Sequence, residues 1–176
     1  MPQTLPEMPA GLTPTWLTTE LQRTGFLPNT VTITSAIQEQ VGEGVGMMSE
    51  LARLRLSYSG DAAGLPTTLM AKFPSRNPTN RQVAMSYNLY ERETRYFAEL
   101  DPLTSARSPT AHISQLEGEN FIILMQDLID YRVGDQVVGA TLAETEAMIP
   151  PRAPPITHVI ARLTEDGKLP VSLLGK

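Results

Sequence analysis

The sequence predicts an α+β domain in which a five-stranded antiparallel sheet carries one long helix on its surface. Three observations predict it. Short runs of alternating apolar residues recur between turn signals, one proline-free stretch from 80 to 100 has a helical period, and these segments follow one another in the order β-β-β-α-β-β.

Thr15-Trp16-Leu17-Thr18-Thr19-Glu20-Leu21 opens a short amphipathic helix that should end near Gly25. From Thr30 the period changes, with Val31, Ile33 and Ile37 at odd positions, as in a half-buried strand that leads into a Gly-rich run. Leu54, Leu56 and Tyr58 then alternate with Arg53, Arg55 and Ser57, a second strand that makes a hairpin with the first. A loop over 59–66 leads to a third strand, Thr67 to Phe73, ended by Pro74. The helix over 80–100 follows, and then two strands, Ala111 to Leu116 and Phe121 to Met125, joined around Gly118-Glu119. Thr141-Leu142-Ala143-Glu144 has the form of a capping box and starts another helix. Pro150, Pro151, Pro154 and Pro155 destroy its continuation, since each interior proline costs a helix about 3 kcal/mol or more.

At 176 residues the chain holds one domain with a real core, or one domain with appendages. Its 41% hydrophobic and 19% charged residues belong to the soluble globular class. The net charge of −5 argues against nucleic acid as the main partner. With no cysteine there is neither a disulfide framework nor a thiolate metal site, and His112 and His158 lack metal-ligand spacing. The N-terminus has no secretory pattern, and the longest strongly apolar run, Phe121 to Met125, is too short to span a bilayer. The expected location is cytoplasmic, with no membrane partner. The chain divides into a segment with a short helix (1–29), the lobe (30–135), a linker that begins a helix (136–149) and a Pro-rich tail (150–176).

Three groups of residues carry candidate chemistry. Gly42, Gly44 and Gly46 alternate between two apolar segments, and such a run is either a phosphate cradle or the flexible tip of a hairpin. Lys72 interrupts an otherwise apolar strand, where it either snorkels to solvent or meets a partner. Glu93 lies in the middle of the helical stripe made by Leu89, Tyr90, Tyr96, Phe97 and Leu100, which fall within about 60° of one direction at 100° per residue. A carboxylate on a buried face requires a partner. Glu91 points the other way, to solvent. If the helix packs on the sheet, Lys72 and Glu93 explain one another. A Gly-rich hairpin over phosphates, a lysine on their oxygens and a glutamate holding that lysine make the grip used in phosphoryl transfer. The glycines do not fit a Rossmann fingerprint, which needs a helix next, and Gly167-Lys168-Leu169 lacks the hydroxyl residue of a Walker loop.

In this order the elements resemble the N-terminal lobe of the aminoglycoside phosphotransferase-like family, small-molecule kinases with the protein-kinase fold. The matching stretches are Gly42 to Leu54, Met70-Ala71-Lys72-Phe73-Pro74, Tyr90 to Leu100, Phe121 to Leu128 and Arg132 to Gln136. The resemblance covers about 15 to 149 and implies ATP, with magnesium in the full-length family, as cofactor. It implies that Lys72 binds the α/β-phosphates, that Glu93 orients Lys72, and that the main chain of Gln126 to Leu128 meets the adenine edge. The family's His-Gly-Asp loop and its metal-binding aspartate have no counterpart here, so no catalytic and no metal-binding residue is assigned. The expectation is a truncated phosphotransferase, inactive alone, or else a noncatalytic module that binds a protein or itself through the face a second lobe would cover. A third reading is an unrelated α+β domain in which Lys72 and Glu93 form a structural ion pair.

Overall fold

The computed structural model describes residues 4–42, 48–104, 108–131 and 138–148. Two of the three glycines of the hairpin run, Gly44 and Gly46, lie outside these residues, as do 132–137 and the Pro-rich tail. The chain forms two compact units, Met1–Ala98 with Pro109–Asp130, and Glu99–Ser108 with Tyr131–Lys176.

The first unit is built on a five-stranded antiparallel sheet of β1 (Thr32–Val41), β2 (Ser49–Ser59), β3 (Thr68–Pro74), β4 (Ala111–Glu117) and β5 (Asn120–Gln126), in the spatial order β1-β2-β3-β5-β4. The order sets β5 beside β3, so the chain leaving β5 emerges next to the strand that carries Lys72. One face is covered by α1 (Pro14–Arg23), which starts at the Thr13 cap, whose hydroxyl accepts from Trp16 N. Trp16, Leu17 and Leu21 of α1 join Leu54, Leu56, Leu69, Phe73, Ile122 and Leu124 in the larger core. The other face meets α2 (Pro78–Ser86) and α3 (Leu89–Arg95), where Ala84 and Tyr90 pack with Phe121, Ile123 and Met125. β5 is thus buried on both faces, which is why Phe121 to Met125 reads as a continuous apolar run rather than an alternating one.

Two sequence expectations are corrected. The helix expected over 80–100 is broken: Asn77 caps α2 through bonds from Thr79 N and Asn80 N, and Asn88 then takes a left-handed conformation (φ 52°) that starts α3 anew. A π-helical turn, Tyr96–Leu100, follows α3. The break has a geometric reason. Ala84 and Tyr90 both pack against the sheet, yet six positions at 100° each would set them about 120° apart on one continuous helix. The second correction is Ile37, which is 61% exposed although it shares parity with Val31 and Ile33. A register shift between Ile33 and Ser35 inverts the faces, so Ala36 packs on the core instead.

In the second unit the described residues hold a single 3-10 turn, Asp101–Leu103, and α4 (Leu142–Met148). The capping box at the head of α4 is reciprocal: Thr141 N donates to Glu144 Oε2 at 2.8 Å, and Glu144 N donates to Thr141 Oγ1 at 3.3 Å.

Candidate functional site

Lys72 faces the α2/α3 side of the sheet. It pairs across the ladders with Leu51 on β2 and Ile123 on β5, and its neighbouring row is Arg53, Met70 and Met125. Its side chain is 20% exposed, and Nζ donates to Glu93 Oε1 on α3, whose side chain is 32% exposed. Glu93 therefore sits at the rim of the buried stripe rather than in its middle. The ion pair expected from the sequence is formed, and its position at a rim leaves the ammonium accessible. A rim pair of this kind, partly screened by solvent, contributes modestly to stability, about 1 kcal/mol.

Four contacts fix α3 so that Glu93 meets Lys72. The Tyr90 hydroxyl donates to Met48 O (2.8 Å) and accepts from Ser75 N (3.2 Å), tying α3 to the start of β2 and the end of β3. The Tyr90 ring lies 4.6 Å from that of Phe121. One turn on, Thr94 Oγ1 donates to Tyr90 O, and Thr94 O accepts from Ser114 Oγ of β4 at 2.9 Å. Met48 immediately precedes β2, so Tyr90 ties the helix that carries Glu93 to the end of the β1–β2 connection.

A cavity of about 510 Å³ opens between the start of β2, β3 and α3, lined by Met48, Ser49, Lys72, Tyr90, Arg92 and Phe97 among others. That volume is in the range of small-molecule sites. Arg92 was not singled out from the sequence, because it lies on the exposed side of the helical stripe. It has no ion-pair partner among the described residues. With Lys72 and Glu93 it leaves one net positive charge on the cavity wall, which suits an anion.

Gly42 ends β1 with φ 69°, a left-handed conformation that favours glycine, and turns the chain out of the strand toward the connection. Gln126 and Leu128 lie at the far side of β3. Gln126 N donates to Thr110 O at 2.9 Å, and the ladder to β3 ends at the pair Leu69 and Gln126. Asp127 between them went unnoticed in the sequence. Both of its carboxylate oxygens accept from Arg53 on β2, Nε at 2.6 Å and Nη2 at 3.2 Å, and the hydrogen bonds to Asp127 raise the Arg53 pKa further. The partners are 74 residues apart, and no local pattern announces such a pair. Beside them Arg55 bonds Glu39 of β1 at 2.6 Å, and this hydrogen bond lowers the Glu39 pKa.

No protein-family model, curated protein or solved structure matches the chain. The class is therefore set by the fold and the site alone: an α+β lobe in which a strand lysine is held by a helix carboxylate beside the β1–β2 connection. Among the described residues no helix is long and apolar enough to cross a membrane, and no three His, Asp or Glu residues are grouped to hold a metal ion.

Proposed function

We propose that this chain is the nucleotide-gripping lobe of an aminoglycoside phosphotransferase-like small-molecule kinase, with ATP as its ligand. The observation that carries the reading is the Lys72–Glu93 pair, formed across β3 and α3 at the rim of a cavity that Met48 and Ser49, at the start of β2, help to line. Lys72 takes the phosphate oxygens, Glu93 holds its ammonium in place, and Arg92 adds a second positive charge. Gly42, Gly44 and Gly46 let the connection approach the phosphates. Because Gln126 N is bonded to Thr110 O, the main chain of Asp127 and Leu128 is what remains for the adenine edge. On this reading the lobe binds the nucleotide, and the base and metal ligands of phosphoryl transfer come from a second lobe, as the resemblance implies.

The test is the melting temperature of the full chain with and without ATP. A ligand that binds the native state raises stability by about 2.7 kcal/mol at a hundred times its Kd. Lys72→Met is expected to abolish most of that rise while lowering the unliganded melting temperature only modestly, because the rim pair itself contributes modestly to stability. A rise that survives the substitution assigns Lys72 and Glu93 to a structural ion pair and removes the nucleotide reading of the site.

A further inference from the structure

We infer that the cavity beside Lys72 takes a small amphipathic monoanion, a carboxylate joined to a ring-sized apolar body, with Arg92 as the outer anchor of its head group. The inference goes beyond the nucleotide reading and does not depend on it, because the Gly-rich connection and the chain after β5 have no part in it. Four charged side chains lie on α3: Glu91, Arg92, Glu93 and Arg95. Glu93 pairs with Lys72, and Arg95 pairs with Glu91 one turn away at 3.7 Å. Arg92 alone of the four has no ion-pair partner among the described residues, and it lines the cavity.

The place of Arg92 follows from helix geometry. At 100° per residue it stands about 160° around α3 from Tyr90, with Glu93 and Leu89 between them. Tyr90 is buried against the sheet and Arg92 is exposed, so the α3 wall of the cavity runs from the core out to a cationic lip. Lys72 supplies the second cation from β3. With Glu93 counted, the wall carries one net positive charge, which a single carboxylate balances. An ammonium has three donors, so Lys72 can bond a ligand oxygen while it keeps Glu93, and a guanidinium offers a carboxylate a two-pronged fork. Much of the remaining wall is apolar, lined by Met48, Leu89, Tyr96 and Phe97. The Tyr90 hydroxyl is engaged by Met48 O and Ser75 N, so it adds little polarity there. Phosphate oxygens make no use of such a surface, whereas an apolar body laid against it leaves water together with it. Tyr96 and Phe97, with ring centroids 5.2 Å apart, are placed to pack on a ring of the ligand. A volume of about 510 Å³ has room for an aryl group and its carboxylate.

The experiment titrates the full chain calorimetrically with cinnamate, with cinnamyl alcohol, which has the same body without the charge, and with acetate, which has the head group without the body. The native chain is expected to bind cinnamate about tenfold or more tighter than either control. Arg92→Met, at an exposed position that the fold does not need, is expected to weaken cinnamate about tenfold and to leave cinnamyl alcohol unchanged. Tyr96→Ser, outside both core clusters, is expected to weaken cinnamate and the alcohol alike. Cinnamate that binds no tighter than its controls, or equally to the native and Arg92→Met chains, overturns the inference. An affinity unchanged by Tyr96→Ser overturns the apolar half of the site and with it the inference. ATP titrated into the same native chain separates the two readings: no ATP binding with cinnamate binding intact removes the nucleotide reading and leaves this one, and the reverse outcome does the opposite.

Discussion

His112 lies in β4 with its ring 3.9 Å from that of Phe26, and it is only partly exposed. Burial lowers its pKa below 6.5, because desolvation disfavours the imidazolium. The sign follows from linkage: the native state takes up this proton less readily than the unfolded state, so the contribution is intact above the unfolded pKa. It is lost as the pH falls from about 6.5 toward the folded value. A pH series of melting temperatures should therefore fall more steeply between pH 7 and 5 for the native chain than for His112→Phe, which keeps the ring contact without the titration. The sequence marks His112 as isolated from other ligands, but its partner ring comes from the connection after α1, a contact made only on folding. Lys72 and Glu93 were legible because each violates its local pattern. Arg53 and Asp127 were not, since an arginine alternating along a strand and an aspartate at a strand end both look like ordinary solvated residues.

Among the elements, the last three strands were readable to within a residue because turn residues bracket them, whereas β2 begins at Ser49, four residues before the alternation that revealed it. The helical stretch was not readable, and Asn88 is the reason. Its left-handed backbone re-phases the chain so that Ala84 and Tyr90 both face the sheet. A lone asparagine inside a helical pattern is a weak stop signal. The residue should show it: Asn88→Gly, which removes the Cβ, is expected to keep or raise stability, whereas Asn88→Ala, which keeps the Cβ and loses the polar side chain that eases this conformation, should be less stable than Asn88→Gly by about 1–2 kcal/mol. Urea denaturation of the two variants measures the difference, and equal stabilities would show that the backbone at 88 is not held left-handed. The register shift in β1 is of the same kind. A one-residue slip exchanges the faces of a strand, and the residues Thr34-Ser35 where it occurs carry no glycine or proline to announce it.

On the scale of the first unit, the sheet is a layer with two covered faces. Residues 4–31 are part of its structure, since Leu5, Leu12, Trp16, Leu17, Leu21, Leu27 and Val31 belong to the larger core. Leu17 is fully buried at the centre of α1. Leu17→Ala should lower stability by about 2–5 kcal/mol, a large part of the 5–15 kcal/mol typical of a domain. A loss below about 1 kcal/mol in chemical denaturation would mean that α1 is dispensable to the sheet. With α1 on one face and α2 and α3 on the other, Lys72, Arg92 and the Arg53–Asp127 pair all lie on the side away from α1. The α1 face carries the larger apolar core, whereas the α2/α3 face combines a smaller core with charged side chains at its rim.

The α+β class, the strand order along the chain, the capping box at Thr141 and the suspicion attached to Lys72 and Glu93 all came from the sequence by itself. They are consequences of period, turn chemistry and desolvation cost, which act over a few residues. The tertiary structure alone decided the spatial order β1-β2-β3-β5-β4, the broken helix, the Tyr90 bridge and the Arg53–Asp127 ion pair. Each of these joins groups distant along the chain or adjusts one element to fit another. Their stabilisation arises from packing and desolvation at contacts that exist only in the assembled fold, and a local pattern carries no record of them.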